Sequence, residues 1–194
     1  MSSIVIVGCG ALGSHVIQFL RNEKESIHVI DFDRVESKNV ASQFHSKTNT
    51  GKGKVLSITR TMDFLFGRSI LGTHAKLLED NIDLLSHGQP APSLVIDCLD
   101  NAATRRLVQR FCKQNKIPCL HGALAADGQY GRVVWSENFV IDEEAEAGAP
   151  TCEGHQHLPF IALTSAYLAR AAQMYLRQGK RVGFAISPAG AVCI

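Results

Sequence analysis

The feature that most limits what this chain can fold into lies near its start. Apolar Ile4 to Val7 runs directly into Gly8-Cys9-Gly10-Ala11-Leu12-Gly13. Val16, Ile17, Phe19 and Leu20 follow at helical spacing, and Ile27 to Ile30 forms a second apolar run that stops at Asp31. The pattern predicts strand, glycine turn, helix and strand, one βαβ unit. Such a unit commits the chain to a parallel sheet with crossover helices. Glycines let the backbone approach a phosphate closely, and the following helix offers unpaired N–H groups and its positive end. Gly8, Gly10 and Gly13 are therefore candidate phosphate contacts. Asp31, about 20 residues downstream at a strand end, is placed to accept ribose hydroxyls. A tight turn that only packs helix on sheet would use the same glycines.

The rest of the chain continues the alternation. Residues 34–53 are polar and read as a connection. A helix is expected from Lys54, a short strand near Thr73 to Leu77, a buried strand at Leu94 to Ile96 and a helix from Ala102 to Asn115. Strands at Ile117 to Leu120 and Gly131 to Trp135, a polar loop over 137–157, an amphipathic helix from Phe160 and a last strand at Val182 to Ile186 complete the reading. The expected fold is α/β: a doubly wound, Rossmann-like, mostly parallel sheet with antiparallel strands toward the C-terminal side.

Composition narrows the function classes. With 194 residues, 45% of them hydrophobic, residues 1–194 are expected to form one domain, with no room for the separate substrate domain of a larger dehydrogenase. A net charge of +2 without a basic run gives no nucleic-acid footprint. The N-terminus has no basic leader, and no apolar run approaches the roughly 18 residues of a membrane span. A cytoplasmic protein that engages no membrane is expected. The six cysteines include no CxxC pair, so neither a disulfide framework nor zinc is expected.

Two acidic clusters sharpen the chemistry. Asp31 and Asp33 stand just beyond one strand, and Asp97-Cys98-Leu99-Asp100-Asn101 just beyond another. In a doubly wound sheet both strand ends open onto one crevice. Carboxylates around a triphosphate require a divalent cation between them, and Lys54 offers a further positive charge. An NAD-dependent oxidoreductase, which the glycine turn alone would suggest, needs none of this. As alternatives at single positions, Lys54 could be a solvated lysine and Asp100 the N-cap of the following helix.

The ordered set GxGxxGS (Gly8 to Ser14), DFDxV with Asn39 and Gln43 beyond it, GxxKV (Gly51 to Val55), DCxDNxxxR (Asp97 to Arg105) and PxxxGA followed by GQ (Pro118 to Gln129) resembles the ThiF/MoeB/HesA family. These are bacterial relatives of ubiquitin-activating enzymes, and the resemblance runs from about Ile4 to about Gly179. It implies an adenylyltransferase that uses ATP and magnesium on the C-terminal carboxylate of a ubiquitin-like or sulfur-carrier protein ending in Gly-Gly. It implies a homodimer, and in some members transfer of the activated carboxyl to sulfur. Carried over, Gly8, Gly10 and Gly13 would cradle phosphates, Asp31 and Asp33 would line the nucleotide site, and Asn39 and Lys54 would contact phosphates. Asp100 would hold magnesium, Arg105 would brace the Asp100 loop, and Cys152 would be the sulfur nucleophile, with His155 near it.

Two departures bear on activity. Ser42 stands where the family's NxxRQ motif has an arginine, and a serine cannot replace a charged fork. The first strand is expected within the first few residues, so the family's preceding helix, which lends a second arginine to a partner's site, is not expected here. A degenerate member that binds nucleotide or carrier without catalysis is the alternative reading. The acidic run Asp142 to Glu146 reads as a solvated loop face.

Overall fold

The structure, a computed structural model, describes residues 2–86, 91–141 and 157–194. The opening unit forms as expected: β1 (Ser3–Val7), α1 (Ala11–Phe19) and β2 (Ser26–Asp31). The elements α2 (Lys54–Phe66), β3 (Leu71–His74), β4 (Leu94–Asp97) and α3 (Ala102–Gln114) follow. Then come β5 (Cys119–Leu124), β6 (Gly131–Trp135), α4 (Leu158–Gln178), β7 (Phe184–Ser187) and β8 (Gly190–Cys193).

All eight strands join one sheet in the order β3-β2-β1-β4-β5-β6-β7-β8. The pairs from β3 through β5 are parallel, and those from β5 through β8 are antiparallel. The sheet is thus Rossmann-like and mostly parallel in its nucleotide half, with an antiparallel arm on the C-terminal side.

The central strands read as unbroken apolar runs because both faces are buried. Ile4 and Ile6 of β1 face a core shared with Val16 and Ile17 of α1, Ile58 and Met62 of α2, and Leu168 of α4. Val5 and Val7 face the opposite core, with Val108 and Cys112 of α3. Strand order reverses between β1 and β4, so the crevice opens at their carboxyl ends.

Several expected boundaries move. β3 covers Leu71–His74 rather than Thr73–Leu77, because Leu77 leaves the sheet to fill the core around Leu85. β5 begins at Cys119, since Ile117 packs beneath α3 instead of pairing. The last strand is a hairpin, β7 against β8, with Ser187 opposite Gly190.

Residues 34–53 are more than a connection. They contain 3-10 turns at Ser37–Ala41 and Lys47–Asn49, and they bury Asn39, Ser42, Gln43 and His45. The helix α3 is capped by Asn101, whose side chain accepts the Thr104 N–H at 2.9 Å, so the cap falls to Asn101 and Asp100 stands outside it, exposed. Among the described residues no helix is long and apolar enough to cross a membrane.

Candidate functional site

The glycine turn is shaped by close approach. Gly8 has φ +90°, where only glycine is unstrained, and a Cβ there would lie 2.9 Å from the Cys98 carbonyl oxygen. A Cβ on Gly13 would overlap the Gly8 carbonyl. The turn therefore packs on the Cys98–Asn101 loop beyond β4, and α1 packs on the turn. At the front, a Cβ on Gly10 would meet open space. Helix α1 starts there without a side-chain cap, and its first N–H groups have no partner within the helix.

Buried side chains fix both loops. The Cys9 N–H donates to Asp31 Oδ2 at 2.6 Å, and the Asp33 N–H to Asp31 Oδ1 at 2.6 Å. The Cys9 carbonyl accepts from His45 Nε2 at 2.9 Å, while His45 Nδ1 lies 3.0 Å from Ser57 Oγ. Burial lowers the His45 pKa to about 4. The ring is neutral at pH 7, so Nε2–H donates and Nδ1 accepts the Ser57 hydroxyl. Burial pushes the Asp31 carboxyl up despite the amides of Cys9 and Asp33.

The same arrangement recurs in the second loop. The Leu99 N–H donates to Asp97 Oδ1 at 2.9 Å, and the Leu99 carbonyl accepts from Arg105 Nε at 2.7 Å and also from its Nη2. Arg105 Nη2 reaches the Gly122 carbonyl at 2.6 Å, and Nη1 faces Asp97 Oδ2 at 3.7 Å. Burial opposes the Asp97 charge, yet Arg105 and His121 together hold its carboxyl below the usual range. Arg105 thus braces the loop from behind.

Between the loops lies a cavity of about 210 Å³. Gly8, Gly10, Asp31, Asp33, Lys54 and Asp100 line it, so six of the expected site residues meet at one place. Lys54 Nζ donates to Asp33 Oδ2 at 2.8 Å, with the lysine side chain 9% exposed and the aspartate 47%. Burial opposes the Lys54 charge, but the Asp33 hydrogen bond and the Asp31 and Asp33 charges raise its pKa overall. The lysine is a fixed cation.

Other expected residues stand elsewhere. Gly13 lies behind the turn, and Asn39 Oδ1 accepts the Glu36 N–H at 2.9 Å in a capping box; neither lines the cavity. Ser42 is 2% exposed, and its carbonyl accepts from His15 Nε2 at 3.1 Å. Cys152, His155 and the run Asp142 to Glu146 lie outside the described residues. Phe32, Lys76 and Thr104 also line the cavity, and sequence reasoning missed them. So did it miss His45 and His121, whose only signal was a histidine inside a glycine- or serine-bearing motif.

Fold and site together define a Rossmann-type α/β protein with a charged cavity at the switch point of its sheet. The chain belongs to the ThiF family, whose model matches residues 1–169. It is 30% identical over 139 residues to the molybdopterin-synthase adenylyltransferase of Salmonella typhimurium, across 70% of this chain and 55% of that protein. It is 34% identical over 131 residues to the adenylyltransferase and sulfurtransferase MOCS3 of Drosophila ananassae, across 66% of this chain and 29% of that one. The matched part of the chain thus spans 29% to 55% of the length of these relatives. The structure of E. coli MccB with ATP superposes with a TM-score of 0.76 at 17% identity, over all of this chain and 63% of that one, a likeness of fold. The Salmonella typhimurium and Drosophila ananassae relatives are both named as adenylyltransferases.

Proposed function

We propose that this chain adenylates the C-terminal carboxylate of a small ubiquitin-like or sulfur-carrier protein ending in Gly-Gly, using ATP and magnesium. The observation that carries the reading is the meeting of the glycine turn, Asp31, Lys54 and Asp100 around one cavity. A nucleotide would exceed about 210 Å³, fill this space and extend over its rim.

In the proposed step a carboxylate oxygen of the carrier attacks the α-phosphorus. The bond to the bridging oxygen breaks, pyrophosphate leaves with the electron pair, and an acyl adenylate remains. Charge on the phosphate oxygens grows, and fixed donors aimed at them accelerate the step without covalent catalysis. Lys54 supplies one such donor, held by Asp33 before substrate arrives. The first N–H groups of α1 beyond Gly10, which have no side-chain cap, would supply others. Asp31 keeps lone pairs toward the cavity while its amide bonds hold the turn, so a ribose hydroxyl can still donate to it.

The residues present fit magnesium. Among the described residues no group of three His, Cys, Asp or Glu side chains gathers as a metal cluster. Magnesium in nucleotide sites binds through one or two carboxylates together with phosphate oxygens and water, so one exposed carboxylate, that of Asp100, suffices. Bound there, the ion would neutralise developing phosphate charge.

The chemical test is trapping. Incubating the chain with a Gly-Gly-ended carrier, ATP, magnesium and hydroxylamine should convert the carrier's C-terminus to a hydroxamate, read by mass spectrometry. Asp100→Ala should abolish it. No hydroxamate with any such carrier would overturn the reading. If Cys152 takes the activated carboxyl, a reducible carrier adduct should form and vanish in Cys152→Ser while the hydroxamate persists. A single adenylation domain over 1–194, acting as a homodimer in the cytoplasm, completes the proposal. A second reading, nucleotide or carrier binding without catalysis, is favoured by one observation: Ser42, at the position where the resemblance implies an arginine, is a buried serine.

A further inference from the structure

The inference rests on the proposed nucleotide site and concerns a residue outside it. His121, in β5, is fully buried, and so is Asp97. His121 Nδ1 lies 2.7 Å from Asp97 Oδ2, and Nε2 lies 3.1 Å from Ser136 Oγ. The order Ser136, His121, Asp97 has the spacing of a hydrolytic triad, but the surroundings exclude that chemistry. Phe139 lies flat on the imidazole, with centroids 4.2 Å apart and planes at 9°, and closes that face to a substrate. Nε2 is shared with Cys119 Sγ at 3.4 Å.

What the imidazole does is hold a carboxylate. Asp97 is ionised and can only accept, so Nδ1 carries the proton that reaches Oδ2. With Oδ2 fixed, Oδ1 is aimed at the Leu99 N–H, and Arg105 closes on the Leu99 carbonyl from the other side. Leu99 immediately precedes Asp100, and Asn101 is fixed by its cap on α3. Asp100 therefore stands between two residues held by these bonds, and its exposed carboxylate lines the cavity.

We propose that His121 is a positioning residue for Asp100: through Nδ1 and Asp97 it sets where the metal-binding carboxylate stands. The consequence is specific to one ring nitrogen. Asparagine places an amide donor near Nδ1, and glutamine places one near Nε2. His121→Asn should rescue the function and His121→Gln should not, although both keep an amide in the same space.

The experiment is calorimetric titration of ATP into the full chain, in magnesium and again in EDTA. Wild type should bind tighter with magnesium by about 10-fold or more, equivalent to about 1.4 kcal/mol. His121→Asn should keep most of that ratio. His121→Gln and His121→Leu should reduce it to about 2-fold or less, with metal-free ATP affinity unchanged. Amide hydrogen exchange at Leu99 should speed up in the Gln and Leu variants only. Should the Leu variant fail to fold, Asn against Gln carries the comparison. Equal ratios in Asn and Gln, or a parallel fall in metal-free affinity, would overturn the proposal while leaving the nucleotide site intact. Failure of wild type to bind ATP under either condition would overturn the site itself, and this inference with it.

Discussion

Lys54 enters the site already charged and already held, since its ammonium sits 2.8 Å from Asp33 Oδ2 with little of the side chain exposed. Removing one fixed donor from a transition state that gathers negative charge costs about 3 kcal/mol, or about 100-fold in rate. Lys54→Ala should lower kcat/KM for carrier adenylation by at least that factor without unfolding the chain; a loss under about 5-fold would remove Lys54 from the chemistry. His45 makes a different claim. Its pKa falls from 6.5 to about 4 on burial, so below pH 6.5 the unfolded chain takes up a proton that the folded chain refuses. Stability should therefore decline as pH drops from 6.5 toward 4, by up to about 3 kcal/mol from this residue. His45→Gln keeps a donor for the Cys9 carbonyl but cannot titrate, and urea unfolding should show a shallower acid slope in that variant. An identical slope would place the acid sensitivity elsewhere. Asp31, Asp33 and Asp100 were legible because charged residues at or just beyond strand ends stand out against apolar runs, and Lys54 because it opens a helix after a polar connection. His45 and His121 were not, because a buried histidine leaves no periodic trace and its worth depends on partners distant in sequence, the Cys9 carbonyl for His45 and the Asp97 and Ser136 side chains for His121.

Elements whose stability comes from apolar periodicity were readable; those held by buried polar groups were not. β1 and β4 are apolar runs and β2 is one interrupted only by His28 between its polar ends, while α3 shows its apolar side as Leu107, Val108 and Phe111. The segment 34–53 is ordered instead by Asn39, Ser42, Gln43 and His45, turned inward against α1 and the glycine turn. Composition alone reads that segment as a linker. The edge strand β8 has exposed Gly190, Val192 and Cys193, and only pairing with β7 makes it a strand. The turn and helix α1 make a testable pair. A Cβ on Gly13 overlaps the Gly8 carbonyl, whereas one on Gly10 enters open space. Gly13→Ala should cost about 3 kcal/mol of unfolding free energy, through backbone that must move. Gly10→Ala should cost clearly less in stability and act mainly on ATP affinity. Equal destabilisation by the two would mean that the turn does not divide into a packing side and a ligand side.

For the whole molecule, one sheet serves two ends. Its parallel half opens the crevice between β1 and β4, and its antiparallel arm reaches the crevice from behind through Gly122, His121 and Ser136. In both crevice loops a central residue has its N–H taken by a buried aspartate and its carbonyl by a buried cation or imidazole: Cys9 by Asp31 and His45, Leu99 by Asp97 and Arg105. That preorganisation lets a small cavity present amides, a lysine and a carboxylate in fixed places. It also bears on Ser42. If a rigid site with Lys54 and one metal suffices, a serine where the family resemblance implies an arginine lowers the rate and leaves the reaction. Exchange of radiolabelled pyrophosphate into ATP, with a Gly-Gly-ended carrier and magnesium present, measures this directly. The account predicts carrier-dependent exchange in wild type that disappears in Asp100→Ala, and the absence of exchange with every such carrier, under conditions where ATP binds, would contradict it.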